Sequence, residues 1–400
     1  MSVGRNPDDM TTSQGRRKPI VPVRAVEKRG SDGQTDGKLG GAGLDGTART
    51  RTQRPKRSPT MQDIADAAGV SQSTVSRILT GSHVAIPINP ATRERVLEAA
   101  RRMRYRPNPL ARGLRGSRTM LLGVIVREIT DPFFAICVDA ISGEASKRGY
   151  NVVLGHAHGN TTEAIALRAV LETRHCDAII LVGDTSDQPL LLKDLHETNV
   201  TVVGGWQGSS SLSGVTTVNV DNRAGMNALM DHLVDLGHTR IAFIGGRFAA
   251  GSPLGDIQER LLAFSDRLIE RGLPVREEYL CEAQNNLGSG ADAFEALMRL
   301  PEPPTAVVAS TDVLALGALH GACRMNLSVP GAVSIAGFDD LPEAEYSNPP
   351  LTTVRQPIAE MAAVAVRAAI DEADHETQPI VEMLSPRLVI RSSTGPASAR

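Results

Sequence analysis

Six polar side chains crowd into seven consecutive positions: Ser71, Gln72, Ser73, Thr74, Ser76 and Arg77, with Val75 as the apolar interruption. Hydroxyls, an amide and a guanidinium at this density are hydrogen-bonding groups suited to phosphate oxygens and base edges. Arg77 is the most specific of them, because its planar fork fits the O6 and N7 acceptors of a guanine in the major groove. These groups act together only if one short helix presents them, and the flanking residues supply it. Ser71 is the predicted N-cap of a helix through Leu79, whose other face buries Val75, Ile78 and Leu79. Upstream, Thr60 caps a helix that carries Ile64, Ala65 and Ala68 at helical spacing, and Gly69 turns the chain with positive φ. Downstream, Asn89 and Pro90 open a third helix in which Val96, Leu97, Ala100 and Met103 close a small core. Its outer face holds Arg93, Arg95, Arg101 and Arg102. Two short helices about a glycine turn, the second polar and the third basic, predict a helix-turn-helix that binds DNA.

AGVSQSTVSRIL followed by NPATRERVLEAARRMRYRPNPLARGLRG resembles the headpiece and hinge of the LacI/GalR family of bacterial repressors, and the resemblance runs from there to the end of the chain. It implies base reading by Gln72, Ser73 and Arg77 and phosphate contacts by Ser71, Thr74 and Ser76. It also makes Asn108 to Gly116 a hinge helix that orders on operator DNA, with Asn108 and Ala111 in the contact set. Leu114 would wedge into the minor groove, with Arg115 following. Gly113 and Gly116 by themselves leave a helix this short unstable in isolation.

Charge divides along the chain in the same sense. Residues 1–57 hold thirteen Lys/Arg against six Asp/Glu, residues 58–118 hold ten against four, and the whole chain is −2. A basic front on an acidic body suits a protein that meets nucleic acid at one end. Residues 1–57 have too few large apolar side chains for a core, and their Gly41-to-Gly46 GxGxxG lacks the strand and helix that dinucleotide binding requires. Cys137, Cys176, Cys281 and Cys323 are scattered singly, which argues for reduced thiols and against a zinc site. The absence of a long apolar run or leader-like N-terminus places the expected protein in the cytoplasm, without a membrane partner.

From residue 119 short apolar runs alternate with helical segments: MLLGVIV, YNVVLGHA, CDAIILVG, NVTVVGGW, RIAFIGG, TAVVAST and AVSIAGF. Some eight parallel strands in two doubly wound lobes follow, with ligand sites at the carboxyl ends of the strands. The predicted class is therefore α/β with an all-α N-terminal headpiece. Its predicted divisions are a disordered basic extension (1–57), the headpiece (58–106), the hinge (107–118) and a two-lobed sensor (119–400). The resemblance makes that sensor periplasmic-binding-protein-like and implies a small-molecule effector in the cleft, a sugar or sugar derivative, with a purine or nucleoside as the alternative. Matched motifs nominate Phe133 and Phe134 (TDPFF), Trp206, Arg260 (DIQERLLAF), Asp312 on a loop (STDVLALGAL) and Asp339 (GFDD). Asn285 falls where a stacking aromatic is common. Read from the residues alone, Asp312 and Asp339 equally suit helix caps, one phenylalanine suits the core, and Arg260 suits a surface ion pair. No GxSxG, GxxxxGK[ST] or HExxH occurs, so neither an enzyme nor a cofactor or metal site is expected. The expectation is a homodimeric repressor on a pseudo-palindromic operator.

Overall fold

The structure is a computed structural model that describes residues 59–80, 88–105, 118–157, 169, 176–183, 200–204, 215–246, 255–373 and 379–398. The extension 1–57, most of the hinge (with Asn108, Ala111, Leu114 and Arg115) and Trp206 lie outside these residues.

Three helices, α1 (Met61–Ala68), α2 (Gln72–Thr80) and α3 (Pro90–Arg102), form the headpiece. Each boundary has a chemical cause. Thr60 and Asp63 make a reciprocal capping box on α1, and Gly69 ends that helix at φ 63°. The Ser71 hydroxyl accepts from the Thr74 amide at 3.2 Å, and Asn89 caps α3 through the Ala91 amide at 2.9 Å. Ile64, Ala65, Val75, Ile78, Val96, Ala99 and Ala100 are buried at the junction, with Leu79, Leu97 and Met103 packed around them.

The sensor is built on two six-stranded sheets. The first contains β1 (Leu121–Val126), β2 (Asn151–His156), β3 (Ala178–Val182), β4 (Val200–Val203), β5 (Thr216–Val220) and β11 (Val381–Leu384), in the order β11-β5-β4-β3-β1-β2 and parallel throughout. The second contains β6 (Ile241–Gly245), β7 (Leu280–Glu282), β8 (Ala306–Ala309), β9 (Ser334–Asp339), β10 (Thr352–Arg355) and β12 (Arg387–Val389), in the order β12-β10-β9-β8-β6-β7. Only the β10–β12 pair in it is antiparallel among the described strands. Helices α4 (Pro132–Lys147) and α10 (Ile358–Ala373) cover the first sheet, and α5 (Asn222–Asp235), α6 (Asp256–Glu270), α7 (Leu287–Met298), α8 (Asp312–Arg324) and the short α9 (Pro342–Tyr346) belong to the second lobe. Two-sided cover is why β3, β4, β6 and β8 are apolar almost throughout and fully buried.

Among the described elements the chain passes between lobes three times: from β5 into α5, from β10 into α10, and from β11 into β12. These passages pack on one another at Gly225. A Cβ there would stand 2.8 Å from Val354 Cγ1, 2.9 Å from Pro386 Cγ and 3.1 Å from the Phe338 ring. Glycine is required because the three passages leave no room for a methyl group.

Candidate functional site

On α2, Gln72 and Ser73 are exposed, while Thr74, Ser76 and Arg77 are half-buried. The hydroxyls of Ser73 and Thr74 lie 2.8 and 2.9 Å from that of Ser71, so the helix opens on a linked row of hydroxyls. Arg93, Arg95, Arg101 and Arg102 are exposed on α3. The headpiece thus presents hydroxyls, an amide and the single Arg77 guanidinium at α2, and four further exposed guanidiniums on α3, groups able to bond to base edges and phosphate oxygens.

A second polar cluster sits in the other lobe, at the carboxyl ends of its strands. Arg260, in the second turn of α6, is 4% exposed and Asp339, the last residue of β9, is 5% exposed. The guanidinium lies 3.5 Å from Asp339 Oδ1, donates through Nη1 to the Ser310 carbonyl at 2.7 Å and through Nε to Asn222 Oδ1 at 2.8 Å, and stacks 3.8 Å over the Phe338 ring. Gln356 donates to Asp339 Oδ1 at 2.7 Å. Burial drives the Asp339 carboxyl well above its usual pKa, against the opposing pull of Arg260. Arg260 Nη2 and Asp339 Oδ2 take no hydrogen bond among the described residues. A pair of donors beside an acceptor, held on a rigid floor, is complementary to neighbouring hydroxyl groups.

The supports of this pair lie where the chain changes lobe. Asn222 opens α5 directly after β5, and Gln356 follows β10 directly before α10. Neither has a sequence pattern, and sequence reasoning missed both. Asp256 and Glu259 were missed too: the Asn222 amide donates to Asp256 Oδ1 at 2.8 Å and to Glu259 Oε2 at 3.1 Å. Burial lifts the Glu259 carboxyl to about 7, with the Asp256 charge also raising it and Asn222 opposing. Asp256 reaches the other lobe, where its Oδ2 is 3.7 Å from the place a Cβ on Gly204 would occupy.

The chain matches the family described as bacterial regulatory proteins, lacI family, over residues 60–108, and a periplasmic binding protein-like domain over residues 230–394. It is 33% identical over 337 residues to catabolite control protein A of Priestia megaterium, covering 84% of this chain and 99% of that protein. It belongs to the LacI family. The HTH-type transcriptional repressor CytR of Escherichia coli K12 is 32% identical, with 86% and 98% covered. Among solved structures a transcriptional regulator CelR–cellobiose complex superposes with a TM-score of 0.61 at 29% identity, covering 84% and 99%. The lac repressor dimer bound to operator and an anti-inducer reaches 0.74 at 24% identity over 85% and 100%, a likeness of fold. This LacI-family chain is accordingly a DNA-binding transcriptional regulator with a helix-turn-helix and a periplasmic-binding-protein-like body.

The nominated cleft residues separate on inspection. Phe133 and Phe134, ring centroids 5.6 Å apart, both pack half-buried on the first lobe's core, with Phe134 against Gly183 at the end of β3. Asn285, between β7 and α7, is exposed and bonds to both lobes. Asp312 requires correction. It is not on a loop but is the first residue of α8, with Thr311 as N-cap, and it is fully buried. Its Oδ2 accepts from the Leu341 amide at 2.8 Å and its Oδ1 from the Thr353 hydroxyl at 2.5 Å, so both oxygens are committed to joining α8 to the β9–β10 region. Burial raises its carboxyl to about 6. Asp312 therefore ties α8 to the β9–β10 region. No helix of the described residues is long and apolar enough to cross a membrane, and no cluster of metal ligands occurs among them.

Proposed function

We propose that the protein is a homodimeric, cytoplasmic repressor that releases or engages a pseudo-palindromic operator according to a neutral polyhydroxylated effector, a sugar or sugar derivative, held between its lobes. Gln72, Ser73 and Arg77 read bases, Ser71, Thr74 and Ser76 hold phosphates, and residues 107–118 form the hinge through which Leu114 and Arg115, flanked by Asn108 and Ala111, meet the minor groove. Headpiece, hinge and sensor divide the chain at about residues 58–106, 107–118 and 119–400, following a basic extension. The sensor binds and does not catalyse. The observation that carries the effector reading is the buried Arg260–Asp339 pair, in which Arg260 Nη2 and Asp339 Oδ2 take no hydrogen bond among the described residues. The relative solved with cellobiose supports a carbohydrate class. Coupling follows from Asn222 and Gln356, which bond the pair to two of the three interlobe passages, so that a ligand pulling on either side chain loads the segments about which the lobes turn.

Thermal unfolding against pentoses, hexoses, disaccharides, polyols, sugar phosphates and nucleosides tests this. A neutral sugar should raise the midpoint, since a ligand bound only to the folded state stabilises it by mass action. Arg260→Ala should abolish that shift while keeping operator binding. A shift given by sugar phosphates alone, or one retained in the variant, would overturn the assignment.

A further inference from the structure

Asn285 sits at the rim of the cleft with its amide fixed from both sides. The Thr311 hydroxyl donates to Asn285 Oδ1 at 2.6 Å, and Asn285 Nδ2 donates to Asp131 Oδ2 at 2.8 Å. Neither end is a loose surface group. Thr311 is the N-cap of α8 and accepts from the Leu314 amide at 3.3 Å. Asp131 is the N-cap of α4 and accepts from the Phe133 amide at 2.9 Å through its other oxygen. Asn285 itself is placed by Asn286, which caps α7 through the Ser289 amide at 2.8 Å. One asparagine therefore joins the amino-terminal caps of a helix in each lobe, through a chain in which each of these groups has a complementary partner. The Thr311 proton points to the asparagine oxygen, which turns the amide nitrogen to the carboxylate.

We infer that Asp131–Asn285–Thr311 is a latch that sets the resting closure of the lobes, with Asn285 a positioning residue for effector binding and not a ligand contact. The inference rests on the cleft being the effector site, but its geometry concerns the chain without ligand. A rim contact of this kind, charge-assisted at one end, holds the closed arrangement against opening while leaving the buried Arg260–Asp339 floor untouched. The effector then binds a cleft whose closed state is already populated and bears less of the cost of closing it.

The polarity of the chain gives the test. Asn285→Asp places two carboxylates in hydrogen-bonding distance and should force the rim apart. Adding Asp131→Asn restores the latch with donor and acceptor exchanged. The amide introduced at position 131 then donates to the carboxylate introduced at position 285, which still accepts from Thr311. The amide's own oxygen still accepts from Phe133 N–H, so the cap of α4 is kept. The measurement is the interlobe distance between nitroxides at Ser146→Cys on α4 and Ala296→Cys on α7, both exposed positions, in the full chain with the exposed Cys323 replaced by serine. Cys137 is buried, and the half-buried Cys176 and Cys281 are replaced by serine as well. Labelled chains are diluted into unlabelled protein so that distances within one chain are read. Without effector or DNA, the parent should give one narrow distribution, Asn285→Ala a broader one and Asn285→Asp a longer one. The exchanged double variant should return to the parent's. In Asn285→Ala the sugar found by thermal shift should bind about fivefold more weakly, the loss expected for one net hydrogen bond. An Asn285→Asp distribution equal to the parent's, or a double variant that stays open, overturns the latch. Failure of any compound to bind the parent overturns the effector reading instead, and leaves the distance result standing by itself.

Discussion

Single side chains decide what this protein recognises. Arg77 offers the one planar, bidentate donor on α2, and Arg77→Ala should weaken binding to a selected operator by about 5- to 150-fold, the worth of a good bidentate contact. The loss should be much smaller on nonspecific duplex, as fluorescence anisotropy at fixed salt would show; equal losses on both would make Arg77 a phosphate contact. In the cleft, Glu259 carries a cost that depends on pH. Its folded pKa of about 7 lies above its ordinary value of 4.5, so its favourable contribution is full below 4.5 and disappears as pH rises through 7. Glu259→Gln keeps an acceptor for Asn222 and removes the buried charge. Its thermal midpoint should exceed that of the wild type by a few degrees at pH 8 and match it at pH 5. A difference independent of pH would mean that Glu259 is solvated and ordinary.

Elements decide whether those side chains meet. Gly225 lets the three interlobe passages close on one another, and Gly225→Ala should destabilise the protein by about 1–3 kcal/mol, the usual cost of overpacking. Chemical denaturation would show this as a lower midpoint with unchanged slope, and an unchanged midpoint would mean that the passages are loosely packed. The same scale explains what the sequence could and could not disclose. α1 to α3 were legible because their caps are chemically distinctive and their apolar spacing is helical, and β1, β3, β4, β6, β8 and β9 because two-sided burial makes them nearly continuous apolar runs. β5 was not, since TTVNV is fully buried yet more than half polar, its threonines and asparagine absorbed within the sheet. β7, β10, β11 and β12 are three or four residues long and escaped for want of a pattern. The buried pair was found from motifs, but its supports, Asn222 and Gln356, follow only from strand order, which brings chain passages distant in sequence to one place. Asp312 was placed on a loop and is the first residue of α8, since a carboxylate between a strand and a helix looks alike in sequence on either side of the helix boundary.

At the scale of the molecule, a headpiece that reads DNA and a two-lobed body share one chain, and regulation requires that lobe closure and operator binding influence each other. Coupling of this kind is reciprocal, and between two binding sites it typically changes affinity about 5- to 150-fold. The most direct measurement is the dissociation constant for an operator, selected from random duplexes by the protein itself, at fixed salt with and without a saturating amount of the sugar found by thermal shift. The wild type should change its operator affinity at least fivefold, in either direction, and Arg260→Ala should bind the operator equally well in both conditions. An operator affinity that the bound sugar leaves unchanged in the wild type would contradict a regulator governed from this cleft.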